Sequence, residues 1–229
     1  MKKIALLSSC FLLFSLLFIT ACTNNDPAPA VLSAITFKDL NADYAPLVFS
    51  SDPAVPPTRP AQKRKFTFFS FKTGQVMTIA DSSKSTLWDI GFRSTSIIVN
   101  GGTSGPGVGG VIVQQGIFAD IKTAPLTGYV QDNYNPITKS GTFAISSSPL
   151  APSATASNQW WYNSGTNQST IVSPIAGQVF IIKTADGRYA KMEITSYYKG
   201  APVTVNNLSD LDRYYTFRYV YQPGNSASF

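Results

Sequence analysis

The chain has 229 residues, a formal charge of +6, no histidine and two cysteines. Without histidine there is no Ser-His-Asp or Cys-His triad and no His-based zinc site. Glu193 is the single glutamate, so acid–base work would fall to the aspartates, and no pair of these stands at a spacing that argues for a glycosidase. The basic excess is too mild for a nucleic-acid binder. Its one cluster, Lys63-Arg64-Lys65, reads as solvated surface.

The N-terminus addresses the chain for export. Lys2 and Lys3 precede an apolar run from Ile4 to Ile19, which is short for a membrane span and typical of a signal peptide. Ile19-Thr20-Ala21-Cys22 is a lipobox, in which small residues lead to a cysteine whose thiol accepts a diacylglycerol before cleavage. Residues 1–21 are therefore expected to be removed, together with Lys2, Lys3 and Cys10. Lipidated Cys22 then anchors the chain, each buried methylene contributing about 0.8 kcal/mol. No thiol is left for a disulfide or a Cys-based metal site, so the exported domain must rely on its core. Thr23 and Asn24 carry no retention signal, which favours the outer membrane over the inner.

Residues 22–34 form a tether, since Asn24-Asn25-Asp26-Pro27-Ala28-Pro29-Ala30 has too little hydrophobicity to order itself. Residues 35–229 are expected to be one domain. Ile35 to Leu40 is a first short strand, and Asp52 to Pro60, with four prolines, an extended loop. From Phe66 the pattern is all-β. Phe66 to Phe71 is an aromatic strand, Thr73-Gly74 a turn, and Val76 to Ile79 its partner. In Ser85 to Arg93, Trp88, Ile90 and Phe92 alternate with Asp89, Gly91 and Arg93, which predicts a half-buried strand with an aromatic inner face. A second strand runs through Ile97, Ile98 and Val99.

Six glycines then fall within residues 101–110, which excludes a helix. Gly105-Pro106-Gly107-Val108-Gly109-Gly110 matches G-x-G-x-x-G in form. A nucleotide site needs a helix N-terminus after the glycines, and here Val111-Ile112-Val113 continues as a strand. The expectation is instead a loop where the backbone approaches something closely.

Val111 to Gln115 and Phe118 to Ile121 are further strand candidates, Tyr129 to Lys139 a long loop, and Ser146 to Asn158 an exposed low-complexity loop. Trp160-Trp161-Tyr162 breaks that polarity. Three adjacent aromatics cannot share one face of a strand, so at least one is exposed or lines a cleft. Gln178 to Lys183, an Asp186-Gly187 turn and Arg188 to Lys199 form a hairpin. On its return strand Ala190, Met192 and Ile194 share one face, which makes Met192 a core residue. Lys191, Glu193 and Thr195 share the other. Asn207 to Arg213 is a candidate short helix. Tyr214 to Tyr221 is a last strand, with Tyr215, Phe217, Tyr219 and Tyr221 as an aromatic face. The fold class is all-β: a single, mostly antiparallel domain with long loops and little helix.

Several separated blocks, in order, resemble the HmuY family of haem-binding lipoproteins. They are Leu87-Trp88-Asp89-Ile90-Gly91-Phe92-Arg93, Asn100-Gly101-Gly102-Thr103-Ser104-Gly105, Arg188 to Gly200, and Tyr215 to Pro223. The lipobox and tether fit as well. The resemblance implies reversible haem binding rather than catalysis, with no catalytic cofactor. It implies transfer to a TonB-dependent outer-membrane receptor, from the outer membrane or after release from it. Iron in such a protein is held by two axial side chains, which in this family are histidines or methionines from the middle region. This chain has no histidine, and no methionine between Met77 and Met192. Its middle region offers Tyr129, Tyr134, Trp160, Trp161 and Tyr162. A tyrosinate can ligate ferric haem. Tyr129, Tyr134 and Tyr162 are therefore the haem-binding candidates, with Met77 further away. The same scaffold binding a non-haem ligand is the alternative.

Overall fold

The structure, a computed structural model, describes residues 32–43, 50–55, 65–135, 137–151, 157–166 and 169–229. Cys22, Lys63, Arg64 and the prolines at 56, 57 and 60 lie outside the described residues. Among these residues, thirteen strands follow in chain order. They are β1 (Ile35–Asn41), β2 (Thr67–Ser70), β3 (Gln75–Met77), β4 (Ile90–Arg93), β5 (Ser96–Val99), β6 (Gly110–Gln115), β7 (Asn133–Asn135), β8 (Ser140–Thr142), β9 (Trp161–Asn163), β10 (Val172–Pro174), β11 (Gln178–Lys183), β12 (Tyr189–Tyr198) and β13 (Asp212–Gln222). A single 3-10 turn, Ser82–Lys84, is the only helical element among the described residues.

Two antiparallel sheets carry the domain. One has the strand order β1-β13-β12-β11-β6, the other β3-β2-β4-β5. Their aromatic faces meet. Phe69 of β2 and Phe92 of β4 lie against Phe217 of β13, with ring centroids 5.2 and 5.6 Å apart. Phe92 also meets Tyr215 at 4.8 Å. The period-two reading of β13 and β12 holds here: Tyr215, Phe217, Tyr219, Ala190, Met192 and Ile194 all enter this core. Met192 is fully buried, as its alternation requires.

The other face of the five-stranded sheet is also covered. Phe118, Ala124, Val179, Ile181 and Val220 form a second apolar layer. Lys191 and Glu193, on that face of β12, are therefore buried rather than solvated. Each has partners, as a buried charge must. The Lys191 ammonium donates to the carbonyls of Phe118 (2.9 Å) and Ile121 (2.6 Å) and sits 4.7 Å from the Phe118 ring centre. Glu193 accepts from Arg218 Nε at 2.7 Å. Those carbonyl bonds also explain why Phe118 to Ile121 is a turn and not a strand. Its acceptors point at Lys191, and the Asp120 N–H closes on the Ile117 carbonyl at 2.9 Å.

Three other expectations are corrected. Asn207 to Arg213 is not a helix. The Asn206 side chain accepts from the Leu208 N–H at 3.0 Å, which sets an Asx turn, and β13 starts at Asp212. Tyr129 to Lys139 is not all loop, because β7 and β8 pair as a hairpin. Asn135 caps its turn by accepting from the Ile137 and Thr138 N–H groups. The stretch around Trp88 is buried on both sides, not half-buried. Ile90 and Phe92 enter the main core, whereas Trp88 precedes β4 and packs against Phe68 at 4.6 Å.

Asp89 explains that turn of the chain. Its carboxylate is buried and accepts from the N–H of Phe71 (2.8 Å) and of Ala185 (3.0 Å). It thereby ties the end of β2 to the β11–β12 turn. Asn100 does similar work for the glycine-rich loop. Its amide donates to the carbonyls of Ser85 (2.8 Å) and Trp88 (2.7 Å) and accepts from the Gly107 N–H (3.0 Å). The loop closes on Asn100 so tightly that a Cβ at Gly109 would lie 2.5 Å from its backbone carbonyl oxygen. The loop is thus the close backbone approach expected from its glycines. Asp132 completes the set, accepting from the Val99 (2.9 Å) and Ala144 (2.7 Å) N–H groups.

Burial raises the Asp89 and Asp132 carboxyls above their ordinary range, against the pull of these backbone donors. A carboxyl raised on folding binds its proton more readily in the native chain than in the unfolded one. Its contribution to stability grows as pH falls through the native value and is lost as pH rises through it. Asp89→Ala strands two buried N–H groups and is expected to cost about 2–5 kcal/mol at pH 7. In urea unfolding that deficit should widen as pH falls from 7 towards the ordinary carboxylate range. A deficit that stays equal over that whole range would mean that Asp89 does not titrate with folding.

Candidate ligand-binding site

The aromatic triplet builds a cavity. Trp160 and Trp161 are both buried, and each indole N–H is used. Trp160 Nε1 donates to the Thr95 carbonyl at 2.9 Å and Trp161 Nε1 to the Ser147 carbonyl at 3.0 Å. The Leu150 N–H returns a bond to the Trp161 carbonyl at 2.7 Å. These two bonds strap residues 147–150 against β9. β9 pairs with β10, and the next side chain along it, Tyr162, turns outward and is 42% exposed. It is the exposed member that three adjacent aromatics demand.

Tyr162 lines a cavity of 580 Å³ with Pro149, Leu150, Ala151 and Asn163. That volume falls within the range of about 300–1,000 Å³ typical of small-molecule sites. The walls are mainly apolar. The Asn163 carboxamide oxygen is already occupied by the Gly165 and Ile171 N–H groups, both at 2.9 Å. The Tyr162 hydroxyl bonds to no described residue, so it is the polar group that the cavity offers to a ligand. A phenol there can donate a hydrogen bond or, after losing its proton, ligate a Lewis acid.

The other two tyrosine candidates sit elsewhere. Neither is among the described lining residues of this cavity. Tyr129 packs in the outer apolar layer beside Tyr189, with ring centres 6.0 Å apart. Its hydroxyl is buried without a partner, and desolvation, then Tyr189, pushes it far above the ordinary phenol range. It is held neutral. Tyr134 lies on β7 with its ring 4.7 Å from that of Phe143. Met77 lies on β3, its sulfur 3.7 Å from the Thr73 hydroxyl. Sequence reasoning missed Pro149, Leu150 and Ala151, which it placed in an exposed loop. Leu150, a large apolar residue among serines and prolines, was the available signal.

Among the described residues, no three His, Cys, Asp or Glu side chains cluster as a metal site. No described helix is long and apolar enough to cross a membrane.

Fold and cavity together define an all-β domain of two packed antiparallel sheets, with a small, mainly apolar cavity on a side ribbon. The sequence profile of the HmuY protein family matches residues 62–219, and the chain belongs to that family. No curated protein matches it. Among solved structures it is similar to a candidate lipoprotein of Bacteroides fragilis, with 16% identity, a TM-score of 0.49 and coverage of 85% of this chain and 95% of that one. It is similar to a candidate HmuY-like haem-binding protein of Bacteroides vulgatus at 20% identity and a TM-score of 0.43, covering 69% and 85% of the two chains. An apo HmuY analogue of Tannerella forsythia matches at 16% identity and a TM-score of 0.40, covering 85% and 97%.

The strap across β9 is testable. Trp161→Phe keeps a ring in the core but removes the donor to Ser147. It is expected to cost about 1–3 kcal/mol, because a part-buried carbonyl loses its partner. The Leu150 amide should exchange faster with solvent deuterium, while amides of β12 and β13 keep their relative order of protection.

Proposed function

We propose that this protein is a lipid-anchored carrier that binds haem or a related tetrapyrrole and hands it to a TonB-dependent outer-membrane receptor. The observation that carries the reading is the unpartnered Tyr162 hydroxyl in an apolar cavity, within a chain of the HmuY family. Pro149, Leu150 and Ala151 would cover the face of a planar macrocycle, and Tyr162 would supply an oxygen to ferric iron. Burial holds Tyr129 neutral, so among the tyrosines it is the poorer oxygen donor. The activity is binding and release, with no bond made or broken in the ligand.

Cys22 would hold the carrier at the outer membrane through its acyl chains, with no role for nucleic acid. A second reading rests on the missing histidine and on the lack of methionine between Met77 and Met192. In it, the same cavity takes a non-haem ligand, and Tyr162 acts as a hydrogen-bond donor.

Titration of the purified protein with ferric haem separates the two. The expected result is a Soret shift with one equivalent bound. Tyr162→Phe should weaken binding at least tenfold, while Tyr129→Phe and Tyr134→Phe leave it within twofold, a tenfold change being about 1.4 kcal/mol. A spectrum unchanged by Tyr162→Phe would sink ligation by that residue, and no Soret shift at all would favour the non-haem ligand. In the producing cell, Cys22→Ser should abolish labelling by radioactive palmitate and move the protein out of the membrane fraction. Retention of the label would refute the lipobox.

A further inference from the structure

A second cavity, of 760 Å³, lies at another part of the domain. Its lining comes from the start of β1, the β2–β3 turn, the β11–β12 turn and the end of β13. Tyr219, on β13, forms its floor. This residue is 1% exposed, and its ring is fixed by Phe71 at 5.4 Å and Phe69 at 5.6 Å. The ring points its hydroxyl at the β2–β3 turn, so that a Cβ at Gly74 would come within 2.8 Å of the oxygen. No described residue bonds to that hydroxyl, and desolvation alone shifts it, upward, so it keeps its proton at neutral pH. The structure therefore buries a phenol in the aromatic core and leaves its donor facing a cavity without a partner. The Tyr219 O–H is thereby a donor open to whatever enters the cavity.

The charges around the cavity say which kind. Lys72 and Arg188 line it, with Asp186 as the acidic member. Asp186 Oδ1 already accepts from the Thr184 hydroxyl at 2.6 Å and the Arg188 N–H at 3.4 Å. Two cations and a neutral O–H donor thus face one carboxylate that is partly engaged within its own turn. The aromatic walls come from Phe71 and Tyr221. The geometry points to a second ligand site here, for a planar aromatic carboxylate whose anionic group meets Tyr219, Lys72 and Arg188 and whose ring lies on the aromatic walls. This site shares no described lining residue with the cavity at Tyr162 and does not depend on haem binding there.

Isothermal titration of the ligand-free protein with 2-naphthoate tests it. One equivalent should bind, and 2-naphthamide, which has the same shape without the charge, should bind at least tenfold more weakly. Tyr219→Phe should weaken naphthoate about tenfold or more, as expected for a hydrogen bond to a charged group. Its Tm should stay unchanged, because the hydroxyl has no partner in the fold. Arg188→Gln should weaken naphthoate as well, and Tyr162→Phe should not. The proposal is overturned if 2-naphthoate binds more weakly than about 1 mM, if the amide binds equally well, if Tyr219→Phe leaves affinity intact, or if Tyr162→Phe is the variant that removes binding.

Discussion

Asp89 sits between two sheets with its carboxylate turned inward, and the rest of the domain is arranged to satisfy it. Burying a charge is costly unless hydrogen bonds replace the lost water. Here the donors are backbone N–H groups from distant segments, Phe71 after β2 and Ala185 after β11. Both are delivered only when the four-stranded and five-stranded sheets are already packed. The bond set therefore acts as a test of correct assembly. Asn100 and Asp132 extend the same principle to the glycine-rich loop and to the segment leading into β7. The conspicuous Trp-Asp-Ile-Gly-Phe-Arg and Asn-Gly-Gly stretches are the joints of this fold. They contribute nothing to the described lining of the cavity at Tyr162.

Around those joints the stabilising material is mostly aromatic. Phe69, Phe92, Tyr215, Phe217 and Tyr219 interlock across the sheet interface at centroid distances of 4.8–5.6 Å. Edge-on, tilted and stacked pairs of this kind add about 0.5–1.5 kcal/mol each beyond their buried area. A domain without a disulfide among its described residues has that packing to rely on. The second apolar layer adds to it. It also turns Lys191 from a surface charge into a fastener that holds the Phe118–Ile121 turn by two carbonyls.

The two cavities arise where this packing leaves a side chain unmatched. At β9, Trp160 just before the strand and Trp161 at its start are both buried, and Tyr162 is the residue left over. At β13, Tyr219 satisfies the core with its ring but cannot satisfy its own hydroxyl. In both cases the ring is placed by the fold and the oxygen is surplus to it. A surplus polar group beside open volume is how a binding function can be laid on a packed scaffold without weakening it.

Strands such as β11, β12 and β13 were legible in the chain because alternation, turn chemistry and hairpin spacing are local properties. The same holds for the burial of Met192 and the exposure of one aromatic in Trp160-Trp161-Tyr162. Local patterns could not show that Lys191 and Glu193 lie under a second layer, since that layer is built from residues some 70 positions away in the case of Phe118 and Ile121. Nor could they separate Tyr129, Tyr134 and Tyr162. All three are tyrosines in a polar middle region, and only their surroundings distinguish a buried phenol, a ring packed on Phe143 and a cavity wall. Residue type and spacing determined the class of fold, because backbone hydrogen bonding and side-chain alternation repeat over short range. Tertiary structure decided which oxygens remain unpartnered, because satisfaction of a polar group depends on whatever the folded chain brings beside it.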